Sequence, residues 1–261
     1  MNFRTGGLAK LVCAVSLVVT TPGIAQTPAC AGLSDPTEIV DCVDRIMRGE
    51  SSVGVTTMEV VTENWSRAME MRVWSLGTDY ALVRILSPRK DEGTATLKVG
   101  SEIWNYLPRV DRTIKIPASL MSASWMGSHF TNDDLVKESR LIEDYVITLA
   151  FEGAREGTEV WEFELVPRPE APVVWGRIGY QVRKSDTMPV WARYYDEDGS
   201  LIRTMTFSDY RMMGGRLVPG LMRVVPEDKP GEYTEVRYSD LEFDVELDAE
   251  FFSLRRLRDA R

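Results

Sequence analysis

Apolar side chains in this chain recur mainly at alternate positions, in runs separated by turn-forming residues about every 8 to 15 positions. The runs include Val53–Val61, Trp65–Leu76, Tyr80–Leu86, Thr94–Val99, Val160–Val166, Arg177–Arg183, Leu201–Tyr210 and Tyr233–Phe243. They are rich in Val, Thr, Tyr, Trp and Ile, so the pattern predicts an antiparallel meander of roughly ten strands. Trp65–Leu76 is informative because both of its faces are mixed: Trp65, Arg67, Met69, Met71 and Val73 alternate with Ala68, Glu70, Arg72, Trp74 and Leu76. A sheet wet on one side would read more cleanly. The reading is a curved sheet, partly covered outside and apolar inside, its interior either filled core or ligand cavity. Only one long helical pattern interrupts the strands. Ile39, Cys42, Val43, Ile46 and Met47 keep helical spacing behind Asp35-Pro36-Thr37-Glu38, a cap with proline in the first turn, and Gly49 ends the run.

One stretch fits neither period. Trp104–Leu135 mixes Trp104, Tyr106, Leu120, Met121, Trp125, Met126 and Phe130 with Pro, Gly and Ser. Such a composition suits a lid or cavity wall better than a plain sheet core. A strand from Trp104 to Leu107 is expected to place Trp104 and Tyr106 on one face, with a lid from Ala118 to Leu135 closing Trp125, Met126 and Phe130 over it. Met69, Met71 and Met121 join these as candidate cavity residues, because Met adapts to varied apolar ligands. Ordinary core filling competes for the same methionines.

The first 25 residues carry the signature of a cleaved secretory signal: basic Arg4 and Lys10, the apolar run Leu11–Val19, and small residues at Gly23-Ile24-Ala25. The domain is then residues 26–261, in one piece, since no linker, repeat or low-complexity tract divides it. An apolar run of roughly ten residues is too short to span a bilayer. Loss of Arg4 and Lys10 takes the formal net charge from -9 to -11. Nucleic acid is thereby disfavoured as a partner, and membrane contact is limited to transient or local touches such as Arg109–Lys115. Cys13 leaves with the signal, and Cys30 and Cys42 remain in an oxidising compartment, where an even pair closes a disulfide. That bridge would pin the leading segment to the helix, with a stabilisation of roughly 2 to 3 kcal/mol.

Catalytic constellations are weak. His129 is the sole histidine and follows Ser128, but adjacent residues on an extended chain point apart, and no G-x-S-x-G elbow is present. One histidine and two bridged cysteines make a poor zinc set. Asp196-Glu197-Asp198-Gly199 reads as a hairpin turn rather than a calcium loop, and Asp133-Asp134 as a helix cap. Neither enzyme activity nor a cofactor is expected.

Several segments together resemble one family: Ser87-Pro88 to Gly93 with Thr96-Leu97; Ile103-Trp104-Asn105-Tyr106-Leu107-Pro108; Met126-Gly127-Ser128-His129-Phe130 through Leu135; Tyr194 to Gly199; Phe207-Ser208-Asp209-Tyr210 with Val218-Pro219; and Thr234 leading to Phe251-Phe252-Ser253. In their order the chain resembles the outer-membrane lipoprotein-sorting superfamily with the LolA-like fold, especially a branch associated with lipid-exporting transporters of the RND/MMPL type. His129 departs from it, standing where that branch is expected to have Asp. The resemblance implies a mainly β protein: an unclosed antiparallel barrel of about eleven strands with short helices as lid, besides the N-terminal helix. It also implies a periplasmic carrier or chaperone that holds lipid or lipoprotein acyl chains in an apolar cavity and hands them toward the outer membrane, working with an inner-membrane exporter. The alternative on the same fold is a periplasmic sensor acting on an anti-sigma factor.

Overall fold

The structure is a computed structural model that describes residues 1, 30, 32–137 and 141–259. Apart from Met1, the expected leader lies outside the described residues. Helix α1, Pro36–Arg48, begins where its capping signals lie: the Asp35 carboxylate accepts from the Thr37 and Glu38 amides at 2.9 and 3.0 Å. It ends at Gly49, and its apolar face buries Ile39, Val40 and Val43. The Cys30–Cys42 disulfide is formed, with Cys30 buried.

Among the described residues thirteen strands follow, in one antiparallel sheet that does not close. They are β1 (Ser51–Val61), β2 (Ser66–Leu76), β3 (Tyr80–Ser87), β4 (Ala95–Val99), β5 (Glu102–Leu107), β6 (Arg112–Lys115), β7 (Tyr145–Arg155), β8 (Thr158–Pro167), β9 (Arg177–Arg183), β10 (Pro189–Tyr195), β11 (Leu201–Met213), β12 (Arg216–Pro226) and β13 (Tyr233–Phe243). The first six run outward from β1, the other seven inward to β13, and β1 pairs with β13 to join the halves. Register shifts at Val55/Thr56, Glu70/Met71 and Leu149/Phe151 bend the sheet, as bulges do.

This order has a topological consequence. Strands β6 and β7 are neighbours in sequence but form opposite edges of the sheet, so the chain between Lys115 and Tyr145 must pass from one edge to the other. That connection holds the 3-10 turn Ala118–Leu120 and the short helices α2 (Asn132–Lys137) and α3 (Leu141–Asp144).

The mixed faces of β2 are explained by two cores. On the concave side Met58, Met69, Met71, Ile85, Phe163, Leu165 and Met205 pack with α1 and the connection. On the convex side Leu82, Ala95 and Leu97 pack with Phe252 and Leu257 of the C-terminal segment, and Trp74, Leu76, Trp104 and Tyr106 lie against them. Helix α4, Leu254–Arg258, is held there by Arg84, whose guanidinium donates to the Arg256 carbonyl at 2.6 Å. Among the described residues no helix is long and apolar enough to cross a membrane.

Candidate functional site

The concave side encloses a cavity of about 350 Å³, within the range of small-molecule sites. Its walls are built by strand alternation: Gly54 and Thr56 of β1, Met71 and Val73 of β2, Ala81 and Val83 of β3, then Ile178, Ala192 and Phe207 across the barrel. Trp125, Phe130 and Leu135 roof it. Val40 and Met47 of α1 close one flank.

The roof is fixed by specific bonds. Residues 125–130 fold back on themselves, with the Trp125 amide donating to the Phe130 carbonyl at 2.8 Å. Gly127 takes φ 75 in that bend, a left-handed conformation that favours glycine. The Trp125 indole N–H donates to Thr96 Oγ1 on β4 at 3.1 Å, and Thr96 donates in turn to Asn105 Oδ1 on β5 at 2.7 Å. At the other side of the bend His129 Nδ1 meets Thr234 Oγ1 at 2.8 Å and Nε2 meets Glu232 Oε2 at 3.0 Å. Glu232 also accepts the Glu63 amide, and this bond first, then the contact with His129, holds its carboxyl below the usual range.

Asp134 forms a further anchor. Thr131 and Asp134 cap α2 reciprocally: Thr131 Oγ1 accepts the Asp134 amide at 3.1 Å, and Asp134 Oδ2 accepts the Thr131 amide at 2.6 Å. The same carboxylate accepts from Arg203 Nη1 and Nη2, at 2.7 and 2.6 Å, in a pair whose side chains are 4% and 7% exposed. Arg203 lies 4.5 Å from the Trp175 ring centre and 4.3 Å from that of Tyr194. Tyr145, on the cavity wall, stays neutral: burial raises its phenol, and Asp133, Asp144 and Asp134 add to the rise.

The candidate residues therefore separate. Met71, Trp125 and Phe130 line the cavity. Met69 lies in the concave core one step beyond Met71 and is fully buried, and Met126 packs against that core from the roof. Met121 is partly exposed on the connection and does not line the cavity. Trp104 and Tyr106 require a correction: they share one strand face, but it is the convex one. Trp104 sits opposite Leu97 and Tyr106 opposite Ala95, so both join the outer core, while Ile103 and Asn105 point inward. Ser128 and His129 take separate partners: the Ser128 hydroxyl donates to the Trp125 carbonyl at 2.7 Å. Lys98, Arg203, Tyr145 and Glu232 escaped the sequence reading. For Arg203 a signal existed, since it alternates with Met205 and Phe207 on one strand face.

An unclosed antiparallel barrel whose two edges are joined by a roof over an apolar cavity is the LolA-like fold, and solved structures agree. A domain named for outer membrane lipoprotein sorting from Vibrio parahaemolyticus is 26% identical, with a TM-score of 0.76, over 86% of this chain and 98% of that one. A DUF1329 family protein from Desulfovibrio piger is 22% identical with a TM-score of 0.78, covering 86% and 100%. A LolA superfamily protein from Nitrosomonas europaea is 20% identical with a TM-score of 0.74, again covering 86% and 100%. A search of curated proteins gives no match. A family model described as "Uncharacterized protein" matches residues 77–259, and the chain belongs to that family.

Proposed function

We propose that this protein is a periplasmic carrier that shields lipid or lipoprotein acyl chains and delivers them toward the outer membrane, receiving them from an inner-membrane exporter of the RND/MMPL type. The reading includes a cleaved leader at residues 1–25 and a single binding domain from 26 to 261. It involves no catalysis and no cofactor. The observation that carries it is the apolar cavity roofed by Trp125 and Phe130. Each methylene moved from water into such a space contributes about 0.8 kcal/mol, so even part of an acyl chain gives measurable affinity. Similarity to proteins named for lipoprotein sorting and for the LolA superfamily supports the same use.

The test is uptake of a fluorescent fatty acid by delipidated protein. Val83→Trp fills the cavity from its wall and should reduce affinity about tenfold or more, a loss of at least about 1.4 kcal/mol. Trp104→Phe, altered on the convex face, should bind as the parent does. Equal uptake by folded Val83→Trp protein would show that the cavity is not the binding place.

A further inference from the structure

The acyl-chain reading leaves Lys98 unexplained. Its side chain is on the cavity wall and only 4% exposed, and its Nζ donates to the Thr78 carbonyl at 2.5 Å.

The register shows where on the wall it stands. Ser52 lies opposite Ser75, Ser75 opposite Ala81, and Ala81 opposite Lys98, so the four form one row across the sheet. Ser52 Oγ and Ser75 Oγ are 2.7 Å apart. Arg48, paired with Asp44, reaches the wall from α1, and Gly77 and Thr78 join it, all partly exposed. Two residues further along β1 and β2 the pair is Gly54 and Val73; next come Thr56 and Met71, and then Met58 and Met69, both at 0% exposure. The sheet wall thus grades from a partly exposed polar row bearing two cations to a fully buried apolar row.

That gradient is the outline of an amphiphile. We infer that the cavity takes a single-chain lipid with an anionic head, a carboxylate or a phosphate, the head held at Lys98 beside Arg48 and the tail directed past Val73 and Met71 beneath Trp125. The inference rests on the carrier reading and adds to it the class of head group and the direction of the chain.

The experiment titrates the delipidated protein with lauric acid, dodecyl phosphate and dodecanol, which share a tail and differ in head, each below its aggregation threshold, by isothermal calorimetry. A hydrogen bond to a charged group distinguishes the heads by about ten- to a hundredfold. One or both anions should therefore bind at least about tenfold more tightly than dodecanol. Which anion leads identifies the head. Lys98→Met should remove most of that advantage, and Lys98→Arg should keep it. Equal affinity of the wild-type protein for all three overturns the inference and leaves acyl-chain carriage standing, whereas binding of none overturns both. The comparison of heads on wild-type protein decides the matter even where a Lys98 variant folds poorly.

Discussion

Asp134 combines two tasks in one carboxylate, capping α2 and neutralising Arg203. Removing its charge while keeping its shape isolates the second task. Asp134→Asn leaves a guanidinium buried against Trp175 and Tyr194, and breaking such a pair costs about 3–5 kcal/mol. Urea unfolding should show that loss, and Asp134→Asn combined with Arg203→Met should be more stable than the single variant. A double variant no better than Asp134→Asn would mean that the pair is not what stabilises the roof. At this scale the sequence was only half legible. Alternation sorted residues onto faces correctly, placing Trp104 with Tyr106 and Met69 with Met71, but it does not say which face points inward. On β4 the apolar face, Ala95 and Leu97, covers the outside under the C-terminal segment, and the polar face, Thr96 and Lys98, points into the barrel. The sequence analysis turned the Trp104 face toward the lid, and Lys98 went unremarked.

Among the elements, the connection from β6 to β7 should respond to pH. His129 and Glu232 clip it to the β12–β13 turn. Since the folded state holds the Glu232 carboxyl below its ordinary range, its contribution is fully present above the unfolded value and disappears as pH falls through the lower folded value. Hydrogen exchange of residues 125–131 should therefore accelerate below the usual carboxylate range. Glu232→Gln should flatten that dependence; a variant with the parent's acid profile would remove Glu232 from the clip. Helix α1, with its cap, proline and glycine, was legible to within a residue. Strands β6, β7, β10 and β12 were not among the runs read from alternation, for local reasons. β6 is four exposed residues at an edge, and β12 contains Pro219-Gly220, which imitates a turn. In the sheet Gly220 is needed for close approach: a Cβ there would lie 2.8 Å from the Asp209 carbonyl. A strand that needs glycine for its pairing reads like a break in the strand.

The whole molecule is one curved sheet with a core on each side, and the two sides should be separable by experiment. Phe252 belongs to the outer core and is 4% exposed. Phe252→Ala should cost about 3–5 kcal/mol in denaturant unfolding, yet leave fatty-acid affinity unchanged under conditions where the protein is folded. A matching fall in affinity would mean that the C-terminal segment shapes the cavity through the sheet. The fold class was readable at this scale because a meander needs only local pairing of successive strands, and every pairing but β1 with β13 is of that kind. The location of the cavity depended instead on curvature and on the passage between the edges, which no single segment encodes. The buried row of Met58 and Met69, lying beyond Met71 on the same face of the sheet, bears on how a cargo would leave. A single-chain lipid held with its head at the polar rim and its tail toward that row would back out head-first by the rim where it came in. Donor and acceptor would then compete for the same rim beside Arg48 and Lys98, and transfer becomes a sequence of two separate dockings rather than passage through a bridge that touches both at once.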